Sequence, residues 1–169
     1  MPQLGAALAN VLLLLDLPDR PTVGHVGLTG TALYATLEPI TDRMVDLSGE
    51  VDLSGPLELD LVVTSGRHDS QAWEALRSGG WLLVLRDRNG WRKRSVWTAA
   101  SQAAEVRHWL VSPGFYFPYA IVPYTRVAMR AHELATREPG WKRAIRLAAI
   151  FLGSPAREFT GEVVAVRRA

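Results

Sequence analysis

Hydrophobic positions along this chain fall into two kinds of run. Continuous apolar stretches bounded by turn residues predict buried strands, and apolar positions three or four apart predict amphipathic helices. Leu59-Asp60-Leu61-Val62-Val63-Thr64 and Trp81-Leu82-Leu83-Val84-Leu85 are of the first kind. Asp69 to Arg77 lies between them with helical character, and either Asp69 or Ser70 can serve as its N-cap. Ser78-Gly79-Gly80 then supplies a turn. Strand, helix, Gly-Gly turn and strand make a right-handed crossover in a parallel sheet. Such sheets bind ligands at the carboxyl ends of their strands.

The same patterning extends over the rest of the chain. Residues 1–20 predict an apolar N-terminal helix closed by Leu17-Pro18-Asp19-Arg20-Pro21. Thr22 to Gly27 predicts a short first strand, Thr31 to Leu37 a helix stopped by Pro39, and Arg43 to Leu47 a second strand. Ser48 to Glu58 is rich in turn residues. Glu105–Val111 continues a helical pattern that begins near Thr98, and Ala120-Ile121-Val122 is strand-like. Residues 126–137 and Trp141–Phe151 predict helices, and Glu162–Val166 a terminal strand. With no repeat or linker, 1–169 is a single domain, long enough to bury a core.

Composition narrows the chemistry. The chain has no cysteine, which excludes disulfides, thiolate metal sites and a cysteine nucleophile, and is in keeping with a cytoplasmic protein. Net charge is only +2, with Asp87 interrupting the basic run Arg86 to Arg94, so nucleic acid is not the expected partner. The apolar run Ala6–Leu15 is too short to span a bilayer. A helix buried at a subunit interface suits it better. The cluster Phe115-Tyr116-Phe117-Pro118-Tyr119 offers a second apolar wall for a substrate or partner. His108 and His132 fall on predicted helices without ligand spacing to a carboxylate, and no metal site is expected.

The order of elements resembles a class I S-adenosylmethionine-dependent methyltransferase. Val23-Gly24-His25-Val26-Gly27-Leu28-Thr29-Gly30-Thr31 sits where that family has its glycine-rich loop after strand one, and Asp46 near its acidic residue ending strand two. Leu59-Asp60-Leu61-Val62-Val63 is similar to its fourth strand, and Trp73 to Leu85 to its helix, Gly-Gly turn and fifth strand. Ser112-Pro113-Gly114-Phe115 resembles the turn into strand six, and Val163–Arg167 strand seven.

The resemblance implies a Rossmann-like α/β fold: a mostly parallel twisted sheet with helices on both faces. It is abbreviated here, because only 13 residues separate Asp46 from Asp60: either strand three is missing, or Asp52 belongs to the adenine-side loop and the elements before it are compressed. It also implies S-adenosylmethionine as cofactor and a small molecule as methyl acceptor. Gly27, Gly30, Asp46 and Thr64 would bind the cofactor, with Asp46 accepting from the ribose diol. The sequence departs from the family where Leu28, Thr29 and Thr31 stand between the glycines, so side chains should crowd the loop. His25 stands near the place of an acidic residue.

His68, after the fourth strand, is the general-base candidate, since imidazole titrates near neutrality. Asp60 reads more readily as a cap on its strand. The competing reading is a catalytically inactive binding or scaffold subunit, a homodimer or protein partner, that uses the N-terminal helix or the aromatic cluster. A different nucleotide is disfavoured, because neither a G-x-G-x-x-G nor a Walker loop is present.

Overall fold

A computed structural model describes residues 11–49, 57–65, 70–87, 103–112, 120–135, 140–151 and 161–169. These form a seven-stranded sheet of β1 (Thr22–Val26), β2 (Arg43–Asp46), β3 (Leu59–Ser65), β4 (Leu76–Asp87), β5 (Ala103–Ser112), β6 (Ala120–Pro123) and β7 (Gly161–Arg168). The spatial order is β2-β1-β3-β4-β7-β5-β6. β1 pairs in parallel with β2 and β3, and β3 in parallel with β4. β7 opposes both β4 and β5, and β6 opposes β5. β1 to β5 therefore share one direction, and only β6 and β7 run against it. The helices are α1 (Ala32–Leu37), α2 (Ser70–Glu74), α3 (Arg126–Ala135) and α4 (Gly140–Phe151).

Side-chain alternation splits the core between the two faces of the sheet. On one face Val23, Leu61, Val63, Trp81, Leu83, Trp109, Val111, Val163 and Ala165 pack under Leu37 of α1 and under Val11, Leu12 and Leu15. On the other, Val62, Leu82, Val84, Val164 and Val166 pack under Ala72 and Trp73 of α2. Met129 of α3 joins Leu110 and Val122. Trp81, Leu61, Leu82 and Leu83 are fully buried. At about 1.5–3 kcal/mol for each such side chain, these central strands supply much of the driving force.

The β3–α2–β4 unit is a parallel pair joined by a helix, as the apolar runs predict. Its details differ. The helix ends at Glu74, so Arg77 is not helical, and Gly79-Gly80 lie inside a strand rather than in a turn before one. Leu59 pairs with Leu76 but Leu61 pairs with Trp81, leaving the intervening residues of β4 in a bulge. The glycines permit it. Gly79 has φ of +77°, and a Cβ on Gly80 would stand 2.8 Å from the Leu59 carbonyl oxygen.

Three further expectations are corrected. Residues 103–112 form strand β5, not a helix, because Trp109, Leu110 and Val111 bury side chains on both faces between β7 and β6. The turn expected at Ser112-Pro113-Gly114-Phe115 falls at the end of β5, and its last three residues lie outside the described residues; β6 pairs antiparallel with β5 at the edge of the sheet. The N-terminal helix ends at Leu12, followed by a turn, well before residue 20. Val11, Leu12 and Leu15 enter the core, whereas Leu13 and Leu14 are exposed. Among the described residues no strand lies between β2 and β3 in the chain, and β2 forms one edge of the sheet.

Candidate functional site

The carboxyl ends of β1 and β2 bring together Gly27, Gly30 and Asp46 of the residues expected to act. His25 pairs with Asp46 in the register, and both side chains lie on the α1 face. The chain leaves β1 through Gly27 (φ +70°) and Gly30 (φ +74°), left-handed conformations that suit glycine. Between them Leu28 turns into the core, where it is buried. Thr31 caps α1: its hydroxyl oxygen accepts from Tyr34 N (3.2 Å) and its O–H donates to the Leu28 carbonyl (2.6 Å). The expected crowding of the loop is thus largely relieved, because two of the three side chains point back into the protein.

Thr29 does the opposite. Its hydroxyl donates to Asp46 Oδ2 at 2.8 Å, while Ser48 N donates to Asp46 Oδ1 at 2.9 Å. Gly27 N donates to Ser48 Oγ at 2.7 Å, tying the glycine loop to the end of β2. Hydrogen bonds from the Ser48 side chain and backbone, and then from Thr29, hold the Asp46 carboxyl down to about 2. It is therefore ionised at neutral pH. Its side chain is still 46% exposed, and these three hydrogen bonds do not saturate a carboxylate that offers about four lone-pair positions.

His25 is buried, with Nδ1 at 3.7 Å from Asp46 Oδ1 and its ring edge-on to Tyr34 at 5.3 Å. Burial lowers its pKa against the opposing pull of Asp46. A neutral imidazole therefore stands beside the carboxylate. Its Nδ1 has no hydrogen-bond partner among the described residues.

Gly27, Gly30 and Asp46 are thus gathered at one rim. Thr64 lies at the same end of β3, paired with Val26 and Val84, but on the opposite face and fully buried. Its Oγ1 has no partner among the described residues. Asp52, His68 and the aromatic cluster 115–119 lie outside the described residues. Asp60 sits at the far end of the sheet, accepting from Thr22 N and Thr22 Oγ1 (2.7 and 2.8 Å) and pairing with Arg77 at 2.6 Å, in keeping with the cap reading.

Sequence reading missed Thr29 and Ser48 as partners of Asp46. An Asp followed two residues later by Ser, then Gly, is the spacing of an Asx-type turn and could have flagged Ser48. Nothing local signals Thr29, whose contact spans 17 positions. His108 needs correction: it lies on β5, stacks on Tyr124 at 4.3 Å and stands 2.6 Å from Glu162 Oε1. No cluster of three metal-ligating side chains occurs among the described residues.

No protein-family model matches the chain, and no curated protein matches it. Solved structures do. An S-adenosylmethionine-dependent methyltransferase of Thermotoga maritima, described as a possible histamine N-methyltransferase, superposes with a TM-score of 0.55. It is 8% identical, over 99% of this chain and 90% of that one. A functionally unknown protein from Deinococcus radiodurans (TM-score 0.47, 16% identity, 96% and 87% covered) is a looser match. So is an S-adenosylmethionine-dependent methyltransferase from Thiobacillus denitrificans in complex with S-adenosyl-L-homocysteine (0.42, 12%, 100% and 93%). The Thermotoga match carries the comparison; the other two superpose too loosely to add to it. The chain has a class I methyltransferase-like fold.

Proposed function

We propose that this protein binds S-adenosylmethionine at the carboxyl ends of β1 and β2 and transfers its methyl group to a small molecule. The observation that carries the reading is Asp46: an ionised, half-exposed carboxylate at the end of β2, braced by Thr29 and Ser48 but not saturated by them. A vicinal diol offers two O–H donors at the spacing that a carboxylate accepts, so ribose fits. Gly27 and Gly30 bring no Cβ at their own positions in the neighbouring turn, and Leu28 turns into the core, which supports ligand approach to the backbone there. Thr64 enters as the buried residue at the end of β3.

Bound cofactor supplies an electrophilic methyl on a sulfonium. The protein's share is orientation of that group against the acceptor, which can contribute several kcal/mol without any covalent step. His68, in the segment joining β3 to α2, takes the proton from an acceptor oxygen or nitrogen. Cytoplasmic residence belongs to the same proposal.

The second reading, an inactive binding subunit, draws on the closed network in which Thr29 clasps Asp46 and Gly27 N is taken by Ser48. The exposed Leu13 and Leu14 would serve its contact with a second copy. Calorimetric titration with S-adenosylhomocysteine separates the cases at the first step. One-to-one binding is expected. Absence of heat at millimolar ligand sinks the enzyme reading and leaves the scaffold reading standing.

A further inference from the structure

The helical pair α3–α4 presents apolar stripes outward: α3 buries Met129 against the sheet, and both helices leave an exposed apolar stripe. In α3, Met129 packs on Leu110 and Val122 of the sheet. Val127 (79% exposed), Ala131 and Leu134 (60%) recur at the i, i+4, i+7 spacing of a single outward stripe. In α4, Trp141 (65%), Ile145 (61%) and Ala148 do the same. Large apolar side chains are commonly exposed one at a time, but contiguous stripes mark interaction surfaces.

Charge identifies what covers them. Arg126 and Arg130 are exposed on α3, and Lys142 is exposed on α4, with its ammonium 5.7 Å from the Trp141 ring centre. α4 carries no acidic residue at all. α3 carries one carboxylic residue, Glu133, against its two arginines. A second copy of the chain is a poor cover, since a two-fold contact sets the same cationic patch against itself. A phosphodiester backbone matches the cations but leaves the apolar stripes without a partner. An anionic bilayer surface satisfies both: acyl boundary for Val127, Leu134, Trp141 and Ile145, headgroup phosphate for the cations. Trp is the side chain best suited to that boundary.

We propose that α3 and α4 form a docking surface for anionic phospholipid membranes, lying in the interface without crossing it. No helix among the described residues is long and apolar enough to span. The proposal is independent of cofactor binding, since neither helix contributes to the Asp46 rim.

Cosedimentation tests it, using the full chain with vesicles of phosphatidylcholine alone or mixed equally with phosphatidylglycerol. Binding is expected only to the mixed vesicles, falling as salt screens the headgroups. Lys142→Gln should weaken partition about fivefold, the value of one cation near such a surface. Ile145→Asp should weaken it by about tenfold or more, by placing a carboxylate in the apolar boundary. Both side chains are exposed, and unchanged circular dichroism will show that the variants fold. Equal binding to both vesicles, or binding to neither, overturns the proposal. Self-association that Ile145→Asp abolishes, without vesicle binding, assigns the stripe to a second copy instead.

Discussion

Two aspartates at opposite ends of the same sheet show how one residue type is given different work. Asp60, at the start of β3, is buried and fully engaged. Thr22 donates from its backbone and its hydroxyl, and Arg77 closes the ion pair from within the β4 bulge. Asp46, at the end of β2, is braced by Thr29 and Ser48 and keeps a half-exposed carboxylate. The first joins three strands into a unit; the second is braced and left open. Burial and saturation, rather than residue type, separate a structural carboxylate from one that can receive a ligand.

The comparison can be broken at its structural end first. Asp60→Ala removes the acceptor shared by Thr22 and Arg77 and should cost about 3 kcal/mol, read from the urea midpoint. A loss below about 1 kcal/mol would show that the clasp is incidental. Gly80→Ala comes next. Its Cβ would meet the Leu59 and Arg77 carbonyl oxygens at 2.8 and 3.1 Å, so the bulge must shift. About 2 kcal/mol is expected by the same measurement.

At the open end, Asp46→Asn should leave the fold intact and weaken S-adenosylhomocysteine about tenfold, near 1.4 kcal/mol, by calorimetry. Unchanged affinity would place the nucleoside elsewhere. The smallest effect is on stability against pH. The Asp46 carboxyl is held at about 2, below its ordinary 3.8, so the folded state binds the proton less well than the unfolded chain. Its contribution is therefore complete above about pH 4 and lost as pH falls through about 2. With so exposed a side chain the contribution stays under about 1 kcal/mol. The stability gap between wild type and Asp46→Asn should close over that window; a gap that widens on acidification has the sign reversed.

Much of this architecture is legible in the sequence because buried parallel strands announce themselves as unbroken apolar runs. Leu59–Thr64 and Trp81–Leu85 do so, and their helix and glycines join them as expected in outline. β5 is concealed. Ala103, Ala104, Glu105 and Arg107 are helix formers, and only neighbours on both sides make Trp109-Leu110-Val111 a strand. The bulge is concealed too, since Ser-Gly-Gly is equally a turn signal; what decides it is contact with Leu59, 21 positions away from Gly80.

At the candidate site, the gathering of Gly27, Gly30 and Asp46 at one rim is legible from their spacing after a strand. Thr29 and the neutral state of His25 are not: the Thr29 contact spans 17 positions, and burial in the folded protein holds His25 neutral against the pull of Asp46.

A crystal structure of the protein with S-adenosylhomocysteine tests the central claim most directly. Both ribose hydroxyls should donate to the Asp46 carboxylate, with the adenosine resting against the Gly27–Gly30 turn. Ribose density away from β2, with Thr29 and Ser48 still the carboxylate's only partners, would contradict it.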